Sequence, residues 1–356
     1  MRMRFAALAV AAAMPLFGAS LEDHLRQHGK PPLDYLFSTV ETHRIVIAGE
    51  NHWQRRDAEL IRDAVPELRR RNVALGMEFF RASSQGEIDA LLAAPEWDEA
   101  LANRIMRDAD WPYVQYRQIL HAAWKENRSS EGPRMNVIAL GPPADFRKQG
   151  IRYDEFMASR VRDYANDETH RLLVYCGMHH AFTRFLQIDR MRDGKATEFM
   201  DRMGNILWRR FGEEVFLIAL HKPEGCAGWT DPWSAMCAPL GGAIDCAATR
   251  SGGAPVGFDI LGSPLAEMRL PETSFYAIGH PLVRMIDFAD GYIWHQPVDE
   301  TRLVDLIPLE AYDPAASGDA ATRSEWETRA RDLANPNERA SWKGLPAWRA
   351  ACAPAK

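Results

Sequence analysis

The chain has 356 residues, of which 46% are hydrophobic and 26% charged. This composition is typical of a globular protein that can bury a large core without a structural metal. Its 43 basic and 49 acidic residues give a net charge of −6. That balance argues against nucleic-acid binding, which needs a basic face.

The first 20 residues have the form of a secretory signal peptide. A basic segment over residues 1–4 precedes an alanine-rich apolar run over residues 5–17 and small residues over 18–20. The apolar run is too short for a permanent membrane anchor, and no later segment is long and apolar enough for a membrane helix. We therefore expect a periplasmic or secreted protein without a stable membrane span.

Strands and helices alternate along residues 21–221, which we interpret as the core domain. The alternation predicts an α/β fold, with a mostly parallel central sheet and helices on both faces. The predicted strands lie at residues 44–49, 73–78, 135–140, 171–176 and 214–220. The predicted helices, after a helical lead-in over residues 21–43, lie at residues 53–71, 83–92, 97–106, 112–126, 153–169, 180–188 and 196–211.

The alternation weakens after residue 221. Residues 222–356 are therefore interpreted as a loop-rich C-terminal extension that completes or covers the core. Residues 222–256 are rich in glycine, proline, cysteine and tryptophan, which favours a long loop. Further strands are predicted at residues 256–260 and 291–295, and a helix near residues 321–333.

The five cysteines fit an exported protein. Cys176 ends an apolar strand, and we expect it to be a buried free thiol. An oxidising compartment favours two disulfides among the other four, with three possible pairings. These four are Cys226, Cys237, Cys246 and Cys352. Their spacing lacks the paired Cys-x-x-Cys pattern of structural zinc sites.

Ionisable side chains follow three of the predicted strands. The first strand runs into Glu50 and His52, the second ends in Glu78, and the fourth runs into His179 and His180. In an open α/β sheet, ligands bind at the carboxyl ends of the parallel strands. We therefore expect Glu50, His52, Glu78 and His180 to share one pocket for a small molecule and to act as the catalytic group.

These residue types support two kinds of chemistry. His52 and His180 are each predicted to lie where a helix begins, and the positive end of the helix dipole favours neutral imidazole there. Together with Glu78 they are candidate ligands of a divalent cation such as zinc, manganese or cobalt. The same groups support metal-free general acid–base catalysis, in which a carboxylate raises the basicity of a histidine.

Three further residues are candidates for ligand binding. Arg55 follows His52 on the predicted helix and is suited to an anionic ligand. His179 lies beside His180; only one of the two is expected to face the pocket, and the repeated Gly-x-x-His spacing favours His180. His221 ends the fifth strand. The chain has no Gly-x-Ser-x-Gly elbow, phosphate-binding loop or dinucleotide fingerprint.

These motifs resemble the ChaN-like haem-binding uptake family. The family is grouped with the erythromycin esterases and the TIKI proteases, which share a Gly-Glu turn, a glutamate after the second strand and a later Gly-x-x-His. The resemblance covers about residues 40–220, through residues 45–52, residues 74–80 with Gln85, Trp111 with Tyr116, residues 136–140 and residues 176–180.

The resemblance implies several functions. The ChaN-like branch implies haem or iron binding and uptake, and this is the leading hypothesis. The esterase branch implies a hydrolase in which a histidine, helped by glutamate, activates water, and the TIKI branch implies a metal-dependent protease. The shared positions on this chain are Glu50, His52, Glu78 and His180.

The chain departs from the ChaN-like pattern in three respects. It lacks the lipid-attachment cysteine of many ChaN-like proteins, and no particular tyrosine matches a haem ligand. The segment after residue 221 is also longer than the shared core needs. An inactive envelope protein that retains the fold is therefore a further alternative. The sequence does not indicate an oligomeric state.

Overall fold

The computed structural model describes residues 20–352, except residues 110, 130–131, 281 and 337–338. The predicted signal peptide lies outside the described residues apart from Ser20. The side chain of Ser20 accepts a hydrogen bond from the N–H of Asp23 and so caps the first helix. Within the described part of the chain, no helix has both the length and the apolar character of a membrane span.

The structure confirms the predicted α/β architecture. The strands are β1 Ile45–Glu50, β2 Val73–Arg81, β3 Val137–Gly141, β4 Arg171–Gly177, β5 Gln187–Arg192, β6 Lys195–Met200, β7 Val215–Leu220, β8 Glu224–Gly225, β9 Met236–Cys237, β10 Val256–Asp259 and β11 Gly291–Trp294.

The helices lie mainly in the connections between these strands. They are α1 Leu21–His28, α2 Pro32–Thr42, α3 Arg55–Arg70, α4 Gln85–Ala93, α5 Glu99–Asp108, α6 Val114–Ser129, α7 Tyr153–Ala165, α8 Met178–Ala181, α9 Met203–Phe211, α10 Ala243–Arg250, α11 Met285–Phe288, α12 Leu309–Tyr312, α13 Ala320–Ala334 and α14 Trp348–Cys352.

Seven strands form the central sheet, in the order β10-β11-β7-β1-β4-β2-β3. The pairs are parallel except for β10 with β11, which is antiparallel. β10 and β11 come from the C-terminal extension and therefore complete the sheet. β1 and β4 are neighbours near its centre, and their pairing places Glu50 opposite Gly177. Residues at the ends of β1 and β4 thus meet at one edge.

Both faces of the sheet are covered because successive strand residues point to opposite sides. Val46 and Leu173 pack in one apolar cluster, which includes residues of α3 and α6. Ile47 and Val174 pack in the other, which includes residues of α7 and α9. Each such buried aliphatic side chain stabilises the fold by about 1.5–3 kcal/mol. The sheet is therefore a rigid support for groups at its edge.

The helix prediction is wrong in the segment after His180. The predicted helix over 180–188 is replaced by the short α8 and by β5, and the helix predicted from residue 196 begins at Met203 because residues 195–200 form β6. β5 and β6 pair as a hairpin through Asp193 and Gly194, whose φ angles are 51° and 72°. An Asp-Gly turn with both φ angles positive matches the twist of two antiparallel strands.

The cysteine predictions are confirmed. Disulfides join Cys226 to Cys237 and Cys246 to Cys352, and Cys176 is a buried free thiol. Cys246 lies on α10, a helix within the segment predicted to be a long loop. The second disulfide therefore ties α14 to α10 across 106 residues of sequence.

Candidate functional site

The structure brings Glu50, His52, Glu78 and His180 together at the carboxyl ends of β1, β2 and β4. Gly177 lies between two of them. A Cβ atom at residue 177 would lie 2.6 Å from Nε2 of His52 and 3.4 Å from Oε2 of Glu78. The N–H of Gly177 donates a 2.6 Å hydrogen bond to that same Glu78 oxygen. Because Gly177 has no side chain, the imidazole of His52 and the carboxylate of Glu78 can both lie next to it.

Glu50 fixes the orientation of His52. The Nδ1 atom of His52 lies 2.9 Å from Oε1 of Glu50 and donates to it. The Glu50 side chain is fully buried, whereas that of His52 is 21% exposed. A proton on Nδ1 leaves Nε2 as the basic nitrogen of the neutral ring. The lone pair of Nε2 therefore lies beside Gly177.

Two tyrosines also form hydrogen bonds to the Glu50 carboxylate. The hydroxyl of Tyr116 donates to Oε1 at 2.7 Å, and the hydroxyl of Tyr175 donates to Oε2. Burial and the adjacent charge of Glu50 raise the pKa of both hydroxyls well above the usual tyrosine value. Both therefore remain protonated donors, and the carboxylate is held by three hydrogen bonds.

His180 lies between two carboxylates. Its Nδ1 is 2.7 Å from Oδ1 of Asp154, and its Nε2 is 3.3 Å from Oε1 of Glu78. Asp154 also accepts from the N–H of Met203 at 2.8 Å and pairs with Arg202 at 3.2 Å. Both ring nitrogens of His180 are thus engaged.

These contacts determine the charges of the buried pair. Burial alone would lower the pKa of His180, but the charge of Glu78 and the hydrogen bond to Asp154 outweigh it and raise the pKa to about 10. Burial would raise the pKa of Glu78, but the charge of His180 and the hydrogen bonds from His180 and from the N–H of Gly177 lower it to about 2. The prediction of a neutral His180 is therefore wrong, because two carboxylates outweigh the helix dipole.

His52 lies outside a helix, contrary to the sequence prediction. It belongs to a turn, and α3 begins only at Arg55. An indole orients the ring in place of a helix end: Trp111 stacks on it with ring centroids 4.1 Å apart and planes 23° apart. Phe79 meets the ring edge-on at 5.6 Å. Together with Glu50, these rings hold His52 in one orientation.

The side chains of the three residues predicted to bind ligand contact other parts of the chain. Arg55 pairs with Asp305 at 2.6 Å. His179 stacks on Phe275 at 5.5 Å, and burial lowers its pKa well below the usual value. The ring nitrogens of His221 contact the hydroxyl of Tyr292 at 2.8 Å and the carboxylate of Asp245 at 3.0 Å, and the residue is 3% exposed.

A metal centre is not found among the described residues, because no three of their His, Cys, Asp and Glu side chains are arranged to hold an ion. Both ring nitrogens of His180 contact carboxylates instead, those of Asp154 and Glu78.

Several residues of the site were not identified as such from the sequence. Tyr175 lies on β4 two residues before Gly177, so its position at the strand end is a usable signal. Tyr116 and Asp154 lie on helices α6 and α7, and no local pattern separates them from other polar helix residues. Their contribution depends on how those helices pack.

A groove of about 750 Å³ adjoins the site, and we call it the Trp111 groove. One wall carries Trp53, Trp111 and Tyr113, and the other is a face of α13, with Arg339 nearby. The two walls are linked through residues 303–307, which form hydrogen bonds to the loops of the first wall. The C-terminal extension thus contributes directly to the surroundings of His52.

Comparison with known proteins supports the resemblance. Residues 36–151 match the model of the family described as "Haem-binding uptake, Tiki superfamily, ChaN". This match confirms the resemblance over that part of the chain, which includes Glu50, His52 and Glu78. None of the curated protein sequences matches the chain.

Three solved structures share the fold. A succinoglycan biosynthesis protein aligns with a TM-score of 0.58 and 7% identity, over 80% of this chain and 97% of its own. A protein from Bacillus cereus aligns at 0.52 and 10%, over 81% and 98%. An erythromycin esterase mutant in its open conformation aligns at 0.50 and 12%, over 75% and 96%. At these identities the likeness concerns the fold.

Proposed function

We propose that this chain, whose residues 36–151 match a haem-binding uptake family and whose fold is shared by an erythromycin esterase, is an exported hydrolase. It cleaves an ester by metal-free general acid–base catalysis, with His52 as the base. One observation carries the proposal: Nδ1 of His52 is held by the buried Glu50, while Nε2 lies beside Gly177 and Glu78. The two disulfides support an oxidising compartment.

The role of Glu50 follows from its hydrogen bonds. It keeps the proton of neutral His52 on Nδ1 and stabilises the imidazolium that forms when Nε2 takes a second proton. Tyr116 and Tyr175 prevent the carboxylate from turning away. Glu50 and both tyrosines are therefore positioning residues, and His52 is the catalytic residue.

Glu78 supplies a second negative charge close to Nε2. Its carboxylate is ionised and faces the same space as the imidazole of His52. It is suited to orient a water molecule towards the substrate and to stabilise the transient imidazolium. The protonated His180 holds Glu78 in place and prevents two unpaired negative charges from meeting in a buried site.

The proposed reaction has two steps. A water oxygen bonds to the ester carbonyl carbon while Nε2 of His52 takes a water proton, and the carbonyl electron pair moves to the oxygen. The tetrahedral intermediate then reforms the carbonyl and breaks the bond to the leaving oxygen, which receives the proton from Nε2. The products are a carboxylic acid and an alcohol, and His52 returns to its neutral form.

Haem binding is the second candidate function, because residues 36–151 match a haem-binding family. The strand-end residues do not fit an axial ligand. The hydroxyls of Tyr116 and Tyr175 donate to Glu50. His180 has both nitrogens engaged. Nε2 of His52 lies beside the ionised carboxylate of Glu78, whereas haem needs a wide apolar slot next to its axial ligand.

Titration with haemin tests the second candidate. The Trp111 groove offers a flat apolar wall, so haem binding there predicts a Soret shift at micromolar haemin that survives His52→Gln and is lost with Trp111→Ala. A spectrum equal to that of free haemin would contradict haem binding.

Metal removal tests the leading proposal. Protein treated with EDTA and dialysed is assayed for release of p-nitrophenol from a series of p-nitrophenyl esters. We expect the same kcat/KM before and after treatment, because His52 acts without a metal. Loss of activity with EDTA and its recovery with zinc, manganese or cobalt would contradict the mechanism.

A further inference from the structure

The Trp111 groove lies one aromatic ring away from the proposed base. Trp111 stacks on the imidazole of His52 and also lines the groove. Trp53 lies next to His52 in the chain and lines the same wall. A ligand seated against this wall is therefore separated from the imidazole of His52 by the indole of Trp111.

Two arginines meet the same wall from the C-terminal extension. The guanidinium carbon of Arg329 lies 5.8 Å from the centroid of the Tyr113 ring. Burial raises the pKa of Tyr113, while the positive charges of Arg329 and Arg339 oppose this shift. Both arginines line the groove together with Tyr113. Arg329 and Arg339 are themselves only partly exposed.

The charge of Arg329 is not neutralised by a carboxylate of the described chain. Its recorded partners are aromatic, namely Tyr113 and Trp326. Glu325 and Asp332 also line the groove, but both are exposed on α13, and neither forms an ion pair with Arg329. A guanidinium beside an apolar wall is a preformed partner for a planar carboxylate.

We propose that the Trp111 groove binds a carboxylate through Arg329 and Arg339, and that the substrate is an ester with a flat apolar body and a terminal carboxylate. The assignment of this ligand as substrate rests on the proposed hydrolase function, whereas the binding preference does not. Glu325 and Asp332 on the rim disfavour further negative charge along the ligand. The preferred ligand therefore carries its charge at one end.

Binding of two isosteric probes tests the charge preference. The probes are 2-naphthoate and 2-naphthamide, which share an apolar body and differ in the carboxylate. Their Kd values are measured by calorimetry with the full chain and with its His52→Gln variant, so catalysis plays no part. We expect naphthoate to bind about tenfold more tightly than naphthamide to both proteins.

Variants of three arginines identify the responsible group. Arg329→Gln is expected to remove the preference for naphthoate, and Arg339→Gln to reduce it. Arg331→Gln is the matched control, because Arg331 is an exposed arginine of α13 that does not line the groove. It should retain the preference. Circular dichroism spectra confirm that each variant is folded.

These measurements test the carboxylate site and the proposed hydrolase function independently. Equal Kd values for the two probes, or an unchanged preference in Arg329→Gln, would overturn the carboxylate site even in an active esterase. A charge preference that depends on Arg329 would support the site even if no ester were hydrolysed. In an active esterase, Arg329→Gln should raise KM for p-nitrophenyl hemisuccinate about tenfold and leave kcat unchanged.

Discussion

The imidazole of His52 packs so closely on Gly177 that a Cβ at residue 177 would lie 2.5 Å from Cε1 of the ring and 2.6 Å from Nε2. The backbone of Gly177, with φ −59° and ψ 140°, is allowed for any residue. Glycine is therefore needed here for space and not for conformation. This relationship connects β1 and β4 to the proposed chemistry.

A single added methyl group at residue 177 should displace His52. We expect Gly177→Ala to lower kcat/KM for any hydrolysed ester about 10²-fold, because small displacements of a catalytic group have costs of this order. The measurement is steady-state kinetics together with thermal unfolding. Gly86→Ala is the matched control, since a Cβ at Gly86 in α4 would meet nothing within 4 Å. Full activity in Gly177→Ala would contradict the assigned position of His52.

Removal of the Glu50 charge should impair His52 without changing its shape. Glu50→Gln keeps one oxygen, which can accept from the hydroxyl of Tyr116 or of Tyr175, and it allows the wrong tautomer of the imidazole. We expect kcat to fall about 10²–10⁴-fold. Glu213→Gln, an exposed carboxylate just before β7, serves as the control. Equal kcat values for the two variants would show that Glu50 does not orient the base.

The buried His180 pair should make stability depend on pH. The pKa of His180 is raised from 6.5 to about 10 in the folded state, so its contribution is complete below pH 6.5 and is lost as the pH rises through 10. The pKa of Glu78 is lowered from 4.5 to about 2, so its contribution is present above pH 4.5 and is lost as the pH falls through 2.

We therefore expect His180→Gln to lower the free energy of unfolding by about 3 kcal/mol at pH 5.5. The difference from the unmodified protein should shrink between pH 6.5 and 10. Urea unfolding at a series of pH values measures it. A difference that stays constant across this range would mean that His180 is not protonated in the folded protein.

The sequence predicts the sheet and the central site because both are encoded locally. Apolar runs that end in glycine mark β1 and β4, and Glu50, His52, Glu78 and His180 follow strands whose carboxyl ends share one edge. The positions of the cysteines predict two disulfides but do not determine their pairing. These features need no knowledge of how distant helices pack.

The remaining features depend on tertiary contacts. The protonation of His180 depends on Asp154 as well as on Glu78, and the helix α7 that carries Asp154 is separate in the chain. Asp193 and Gly194 lie between two predicted helices, but in the structure they close the β5–β6 hairpin. The Trp111 groove requires α13 to pack beside residues more than 200 positions earlier. A pattern in one sequence does not predict which distant segments pack together.

Replacement of the imidazole of His52 tests whether this residue is the base. His52→Gln is compared with His170→Gln, which removes a partly exposed histidine just before β4 at the opposite edge of the sheet. We expect kcat/KM for ester hydrolysis to fall about 10²–10⁴-fold in His52→Gln and to be unchanged in His170→Gln. Equal activity in the two variants would contradict this role of His52.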